Sequence, residues 1–129
     1  MARPTPASVG TIQSLRPLVP AHDFTQSTRF YSDLGFTVSP ISDGIADVRF
    51  GECAFLLQNF YVREWAENFV FHARVDDLDA WWEHISSLDL AATYEVQAPR
   101  APKLEPWGLR VAYVFDPSGV LWHFAEVPA

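Results

Sequence analysis

The feature that most restricts the fold of this chain is a strand–aspartate–helix pattern that occurs twice. Leu15 to Pro20 reads as an extended segment leading to Asp23, and Phe69 to Val75 as one leading to Asp76, with the two aspartates 53 residues apart (76 − 23). After Asp23, Phe24, Thr28, Tyr31 and Leu34 recur at helical spacing. Gln26 makes an aspartate-based capping box, and Gly35 supplies the left-handed stop. After Asp76, Leu78, Trp81, Trp82, Ile85 and Leu88 mark the buried stripe of a second helix. Each helix is followed by segments that read as three strands. In the first half these are Phe36 to Ile41, Ile45 to Phe50 and Cys53 to Phe60, turning at Asp43-Gly44 and Gly51-Glu52. In the second they are Thr93 to Val96, Leu109 to Phe115 and Val120 to Val127, the last two joined by Asp116-Pro117-Ser118-Gly119. Ala98 to Pro106 carries three prolines and suits only a loop or a sheet edge.

Two copies are too few for a solenoid, so the pattern predicts an α+β fold of two βαβββ modules. Their antiparallel sheets are expected to form a concave cleft with the helices on the outer face. Module one spans about 14–60 and module two about 69–127 of a single domain over 14–127, behind a flexible Pro/Ala-rich arm at 1–13. The chain has 129 residues, enough to bury roughly two-thirds of its unfolded surface in one core.

A net charge of −7 repels phosphate backbones and anionic bilayers, which argues against nucleic acid and membrane partners. The longest apolar runs fall short of the ~20 residues of a membrane span, and the first ten residues have no apolar signal core. Cys53 is the single cysteine, so no internal disulfide forms, which suits a cytoplasmic protein. Its apolar neighbours suggest a buried, unreactive thiol. Ser, His and Asp are present without a nucleophile-elbow motif, and the six glycines do not make a phosphate loop. His22 and His84 carry no assignment.

Several segments share a likeness. Ala21-His22-Asp23, with Phe30-Tyr31-Ser32-Asp33-Leu34-Gly35-Phe36, resembles the first helix of glyoxalase and bleomycin-resistance proteins. Pro106-Trp107-Gly108 and Asp116 to Phe124 resemble the PWG…DPxG…HF ending of bleomycin-binding proteins, and Arg74 to Leu78 the start of a second module. In order and spacing, over about residues 14 to 127, the chain resembles the vicinal-oxygen-chelate (glyoxalase/bleomycin-resistance/dioxygenase) superfamily, nearest its bleomycin-resistance-type branch.

The resemblance implies four inward-facing strand positions, which enzymes of the superfamily fill with His, Glu or Gln around a divalent metal. Counting from the shared motifs, those positions fall on Arg16, Leu57 (or Gln58, one residue on), Val70 and His123. Arg, Leu, Val and His do not make a metal site, and a permanent guanidinium would repel the ion. No metal or other cofactor is therefore expected. The shifted set left open is His72, His123 and Gln58, since His72 shares a strand face with Val70.

What the resemblance implies instead is a non-catalytic, dimeric binder that sequesters a planar drug or toxin, with its subunits exchanged at Pro17; the acidic balance favours a cationic one. Trp107 matches the family's stacking ring, and its second ring falls near Ile45, where none is present. The expected ligand-binding residues are Trp107, Ile45, Arg16, His123, His72 and Leu57. Arg16 brings a cation to the site, which argues for either a carboxylate partner such as Glu126 or Asp47 or an anionic group on the ligand. The alternatives are a metal-dependent lyase, isomerase or dioxygenase of the same superfamily, which needs the missing ligand set, and a module that binds a partner on its concave sheet.

Overall fold

The computed structural model describes residues 10–127, so positions 1–9 of the expected arm lie outside the described residues. β1 (Leu18–Pro20) leads to α1 (Phe24–Leu34), followed by β2 (Thr37–Ser42), β3 (Ile45–Phe50) and β4 (Cys53–Gln58). A one-and-a-half-turn helix, α2 (Arg63–Glu67), links the halves. Then come β5 (Val70–Val75), α3 (Leu78–Ser87), the short α4 (Leu90–Tyr94), β6 (Arg100–Leu104), β7 (Arg110–Phe115) and β8 (Leu121–Glu126). The strands make two four-stranded sheets, ordered β1-β4-β3-β2 and β5-β8-β7-β6. This is the repeated βαβββ architecture, with one refinement. The sheets are mixed, because β1 runs parallel to β4 and β5 parallel to β8.

Local chemistry explains the elements. Asp23 caps α1 by accepting from the Gln26 N–H at 3.0 Å, and Gly35 ends it at φ 117°, a left-handed geometry open to glycine. In the second half the cap is Asp77, which accepts from Ala80 N–H at 3.0 Å, and not Asp76. Both aspartates precede the apolar stripe. Val75 must complete β5, so Asp76 becomes the link and Asp77 the cap.

The strand expected at Thr93 to Val96 is absent. Leu90 and Tyr94, one helical turn apart, are both buried and draw the segment into α4, between left-handed residues Asp89 and Glu95. The proline-containing segment does form a strand, β6, at the sheet edge, where a register shift between Arg100 and Lys103 accommodates Pro102. Cys53 is exposed at the start of β4, contrary to the expected buried thiol, because it sits at the tip of the β3–β4 hairpin.

Each sheet has one helix-bearing face and one free face. Val19, Val48, Phe55 and Leu57 from the first sheet and Ala112, Val114, Trp122 and Phe124 from the second belong to one common core with Phe30, Tyr31 and Leu34 of α1 and Ile85 of α3. Tyr31 spans it, lying 5.1 Å from the Phe55 ring and 5.9 Å from that of Trp122. The modules thus meet through their helix-bearing faces, and their free faces look outward on different sides of the chain. Fully burying such rings stabilises by about 1.5–3 kcal/mol each.

Polar links also tie the halves. Tyr31 donates its hydroxyl to Asp116 at 2.6 Å and accepts from the Trp122 indole N–H at 3.0 Å. The His22 N–H donates to Ser118 Oγ at 2.9 Å, and His84 Nε2 lies 3.0 Å from the Leu34 carbonyl.

Candidate functional site

Strand pairing sets which side chains share a free face, because alternate residues point the same way. Across the second sheet, His72 of β5 pairs with His123 of β8, His123 with Tyr113 of β7, and Tyr113 with Arg100 of β6. These four polar side chains therefore form one row crossing the whole free face. The two histidines touch, Nδ1 to Nδ1 at 3.2 Å, and Tyr113 meets His123 edge-on with ring centroids 5.1 Å apart. Beside this row runs an apolar one, Val70, Leu121 and Phe115, with the Arg100 guanidinium 5.7 Å above the Phe115 ring.

The electrostatics of the row follow from partial burial and close neighbours. Loss of solvent, and then the adjacent His72, hold His123 below its ordinary value. Desolvation, and then the Glu105 carboxylate, raise Tyr113. Glu105 opens the tight β6–β7 turn, where it accepts from the Gly108 N–H at 2.9 Å. Trp107 stands in that turn and is 58% exposed. A large ring held out in water by a rigid turn can stack on a flat ligand without first leaving a packed position.

On the first sheet the free face carries Leu18, Leu56, Asp47 and Ser39 in one row and Gln58 and Ile45 in the next. Arg16 reaches Asp47 at 3.3 Å, and Arg49 reaches the same carboxylate at 3.4 Å. Asp47 is thus Arg16's carboxylate partner. Glu126, the other partner considered, is occupied with Arg110. Two guanidiniums sharing one carboxylate leave this patch with a net positive charge.

Of the expected ligand residues, the structure brings His72 and His123 together and leaves Trp107 exposed on the same half. It places Arg16 and Ile45 on the free face of the other sheet. Leu57 is not a site residue. It is fully buried on the helix-bearing face, because one step along β4 reverses the side chain, and Leu56 and Gln58 take the free face. Gln58 belongs to the first sheet and so does not join the histidine pair. Trp122 lies in the core, stacked on Phe71 at 4.2 Å. Arg100 escaped the sequence reading. Its place in the row needed the β6–β7 register to become visible.

The superfamily's metal does not fit. Arg16 is held by Asp47, Leu57 is in the core, and Val70 is aliphatic, which leaves His123 alone. Among the described residues no group of three His, Cys, Asp or Glu could hold an ion.

A hollow of about 560 Å³ lies elsewhere, in a groove between the modules walled by Phe36, Phe50, Phe55, Phe71, Trp81 and Trp122. Pro17, Cys53, Asp76 and Asp77 also line it. It reaches His72 and Arg74 around the edge of β5. It is walled mainly by rings, and of the row it meets only His72.

Two mixed sheets sharing a core, each with an open face, define a two-module α+β protein of the paired βαβββ type. The chain belongs to the Glyoxalase/Bleomycin resistance protein/Dioxygenase superfamily, whose family model matches residues 13–124. Among solved structures, it is similar to a bleomycin-binding protein complexed with bleomycin (24% identity, 91% of this chain and 100% of that one, TM-score 0.75). It is also similar to a bleomycin resistance determinant encoded on the transposon Tn5 (24%, 92% and 100%, TM-score 0.76). A third is a bleomycin-binding protein from bleomycin-producing Streptomyces verticillus complexed with copper(II)-bleomycin (25%, 92% and 100%, TM-score 0.73). No curated protein sequence matches. No helix among the described residues is long and apolar enough to cross a membrane.

Proposed function

We propose that the protein is a non-catalytic binder that sequesters a flat small molecule, such as a drug or toxin, on the free face of its second sheet. The observation that carries this reading is the row His72–His123–Tyr113–Arg100, which crosses that face of a sheet whose β6–β7 turn presents Trp107 to solvent. The row offers rings for stacking and polar groups at defined spacing. It lacks a nucleophile with an adjacent base, and of the superfamily's four metal positions only His123 carries a ligating side chain. The similarity to bleomycin-binding proteins supports the same reading, and nothing in the site favours the enzymatic alternative.

The working form is a homodimer, in which the first sheet of a second copy covers the second sheet of the first. Residues 11–16 precede Pro17, lie outside any strand, and carry Ile12 and Leu15 largely exposed. β5 is an unpaired edge, and the aromatic groove opens beside it and beside Pro17. We assign that edge and groove to the residue 11–16 segment of the second copy, which would bury both apolar surfaces and shield the edge.

Titration with metal-free bleomycin, read by tryptophan fluorescence, tests the binding. Saturable quenching that is lost in Trp107→Ala is expected, and quenching unchanged in that variant overturns the placement. A turnover of any hemithioacetal or catechol substrate would overturn the non-catalytic reading. Sedimentation tests the assembly: a dimer that becomes a monomer in Ile12→Asp/Leu15→Asp supports the assignment, and a monomeric wild-type protein removes it.

A further inference from the structure

The two histidines of the row have a geometry that the binding reading does not need. His72 and His123 lie on adjacent parallel strands in direct register, and their Nδ1 atoms are 3.2 Å apart. Two imidazole nitrogens bound cis to one first-row metal at about 2.0–2.1 Å lie roughly 2.8–3.4 Å apart for angles between about 90° and 109°. The observed separation falls inside that range. Within the single chain His72 is exposed and His123 half-buried.

We propose that His72 and His123 together ligate a transition-metal ion that arrives already held by a chelating small molecule. This rests on the reading that the row is the ligand face, and it names the ligand class: a metal chelate with two cis positions open. Two histidines are too few to retain a free ion, since a protein site for a resident metal takes three or more ligands, and no third His, Cys, Asp or Glu stands in place among the described residues. A chelate supplies the missing donors itself.

Imidazole suits Cu(II), Ni(II) and Zn(II), with Cu(II) bound most tightly. The step requires no net proton change. In the resting pair one ring donates its Nδ1–H to the other, and on binding that ring carries its proton on Nε2, freeing both Nδ1 lone pairs for the metal. Tyr113, edge-on to His123, borders the position where a flat chelator would lie. The chain's net charge of −7 attracts a cationic complex.

The test uses untagged protein and Cu(II)–iminodiacetate, whose three donors leave cis positions open. The expected result is saturable binding with nitrogen splitting from two imidazoles in the electron paramagnetic resonance spectrum. Affinity should fall at least tenfold in His72→Gln and in His123→Gln and stay unchanged in His22→Ala, with far-ultraviolet circular dichroism confirming that each variant is folded. A spectrum showing one imidazole or none, or equal binding by the folded double variant, overturns the proposal. If metal-free bleomycin still quenches Trp107 in that case, the binding reading survives alone. If the chelate binds through both histidines while bleomycin does not, the pair's role stands and the drug-like ligand is wrong.

Discussion

Tyr31 of the first module donates its hydroxyl to Asp116 of the second at 2.6 Å, across 85 residues of chain. Both groups are buried, and the Tyr31 oxygen also accepts from Trp122. Removing that oxygen strands an acceptor and an indole N–H inside the core. Tyr31→Phe should therefore cost about 2–4 kcal/mol, more than a typical hydrogen bond, in urea unfolding. A loss below about 1 kcal/mol would show that water reaches the gap.

Asp116 gives stability an unusual pH dependence. Burial, opposed by hydrogen bonds from Tyr31 and from the Val120, Ser118 and Gly119 backbone, pushes its carboxyl up to about 6 from 3.8. Between those values the folded state binds the proton more tightly than the unfolded one. The stabilisation from this group is full below about pH 4 and is lost as pH rises through about 6, by on the order of 2–3 kcal/mol. Unfolding midpoints measured across this window should show the effect as a difference between wild type and Asp116→Asn, which keeps an acceptor for Ser118 and Val120 but cannot ionise.

The capping aspartates separate cleanly by mutation. Asp77→Ala removes the oxygen that accepts from Ala80 N–H and should destabilise by about 1 kcal/mol. Asp76→Ala, exposed and uncapping, should change stability by less than about 0.5 kcal/mol. Paired denaturation curves would reverse the assignment if Asp76 proved the costlier loss.

Trp107 should be dispensable for folding and needed for binding. Its exposure predicts a stability change within about 0.5 kcal/mol for Trp107→Ala. Loss of a stacking ring should weaken a planar ligand by about 1 kcal/mol, roughly fivefold. Calorimetric titration beside thermal unfolding separates the two effects.

Much of this was legible in the residues. The repeated aspartate-led helices, the Gly35 stop and the two turn sequences are local signals, and they produced the element order because each is satisfied within a few residues. Errors fell where long-range packing overrides local preference. Thr93 to Val96 reads as a strand until Leu90 and Tyr94 find the core. Leu57 reads as an inward position until the β4 register turns it to α1.

The sequence by itself determined that there are two βαβββ modules and that Asp23 and Gly35 bound the first helix, since short-range hydrogen bonding and local patterning decide these. Only the tertiary structure decided that the modules join through their helix-bearing faces, that Arg16 and Arg49 share Asp47, and that His72, His123, Tyr113 and Arg100 form one row. These depend on strand register between residues as far as 51 apart, and register is set by the fit of the whole core, where a slip of one residue would send every side chain of a strand to the opposite face.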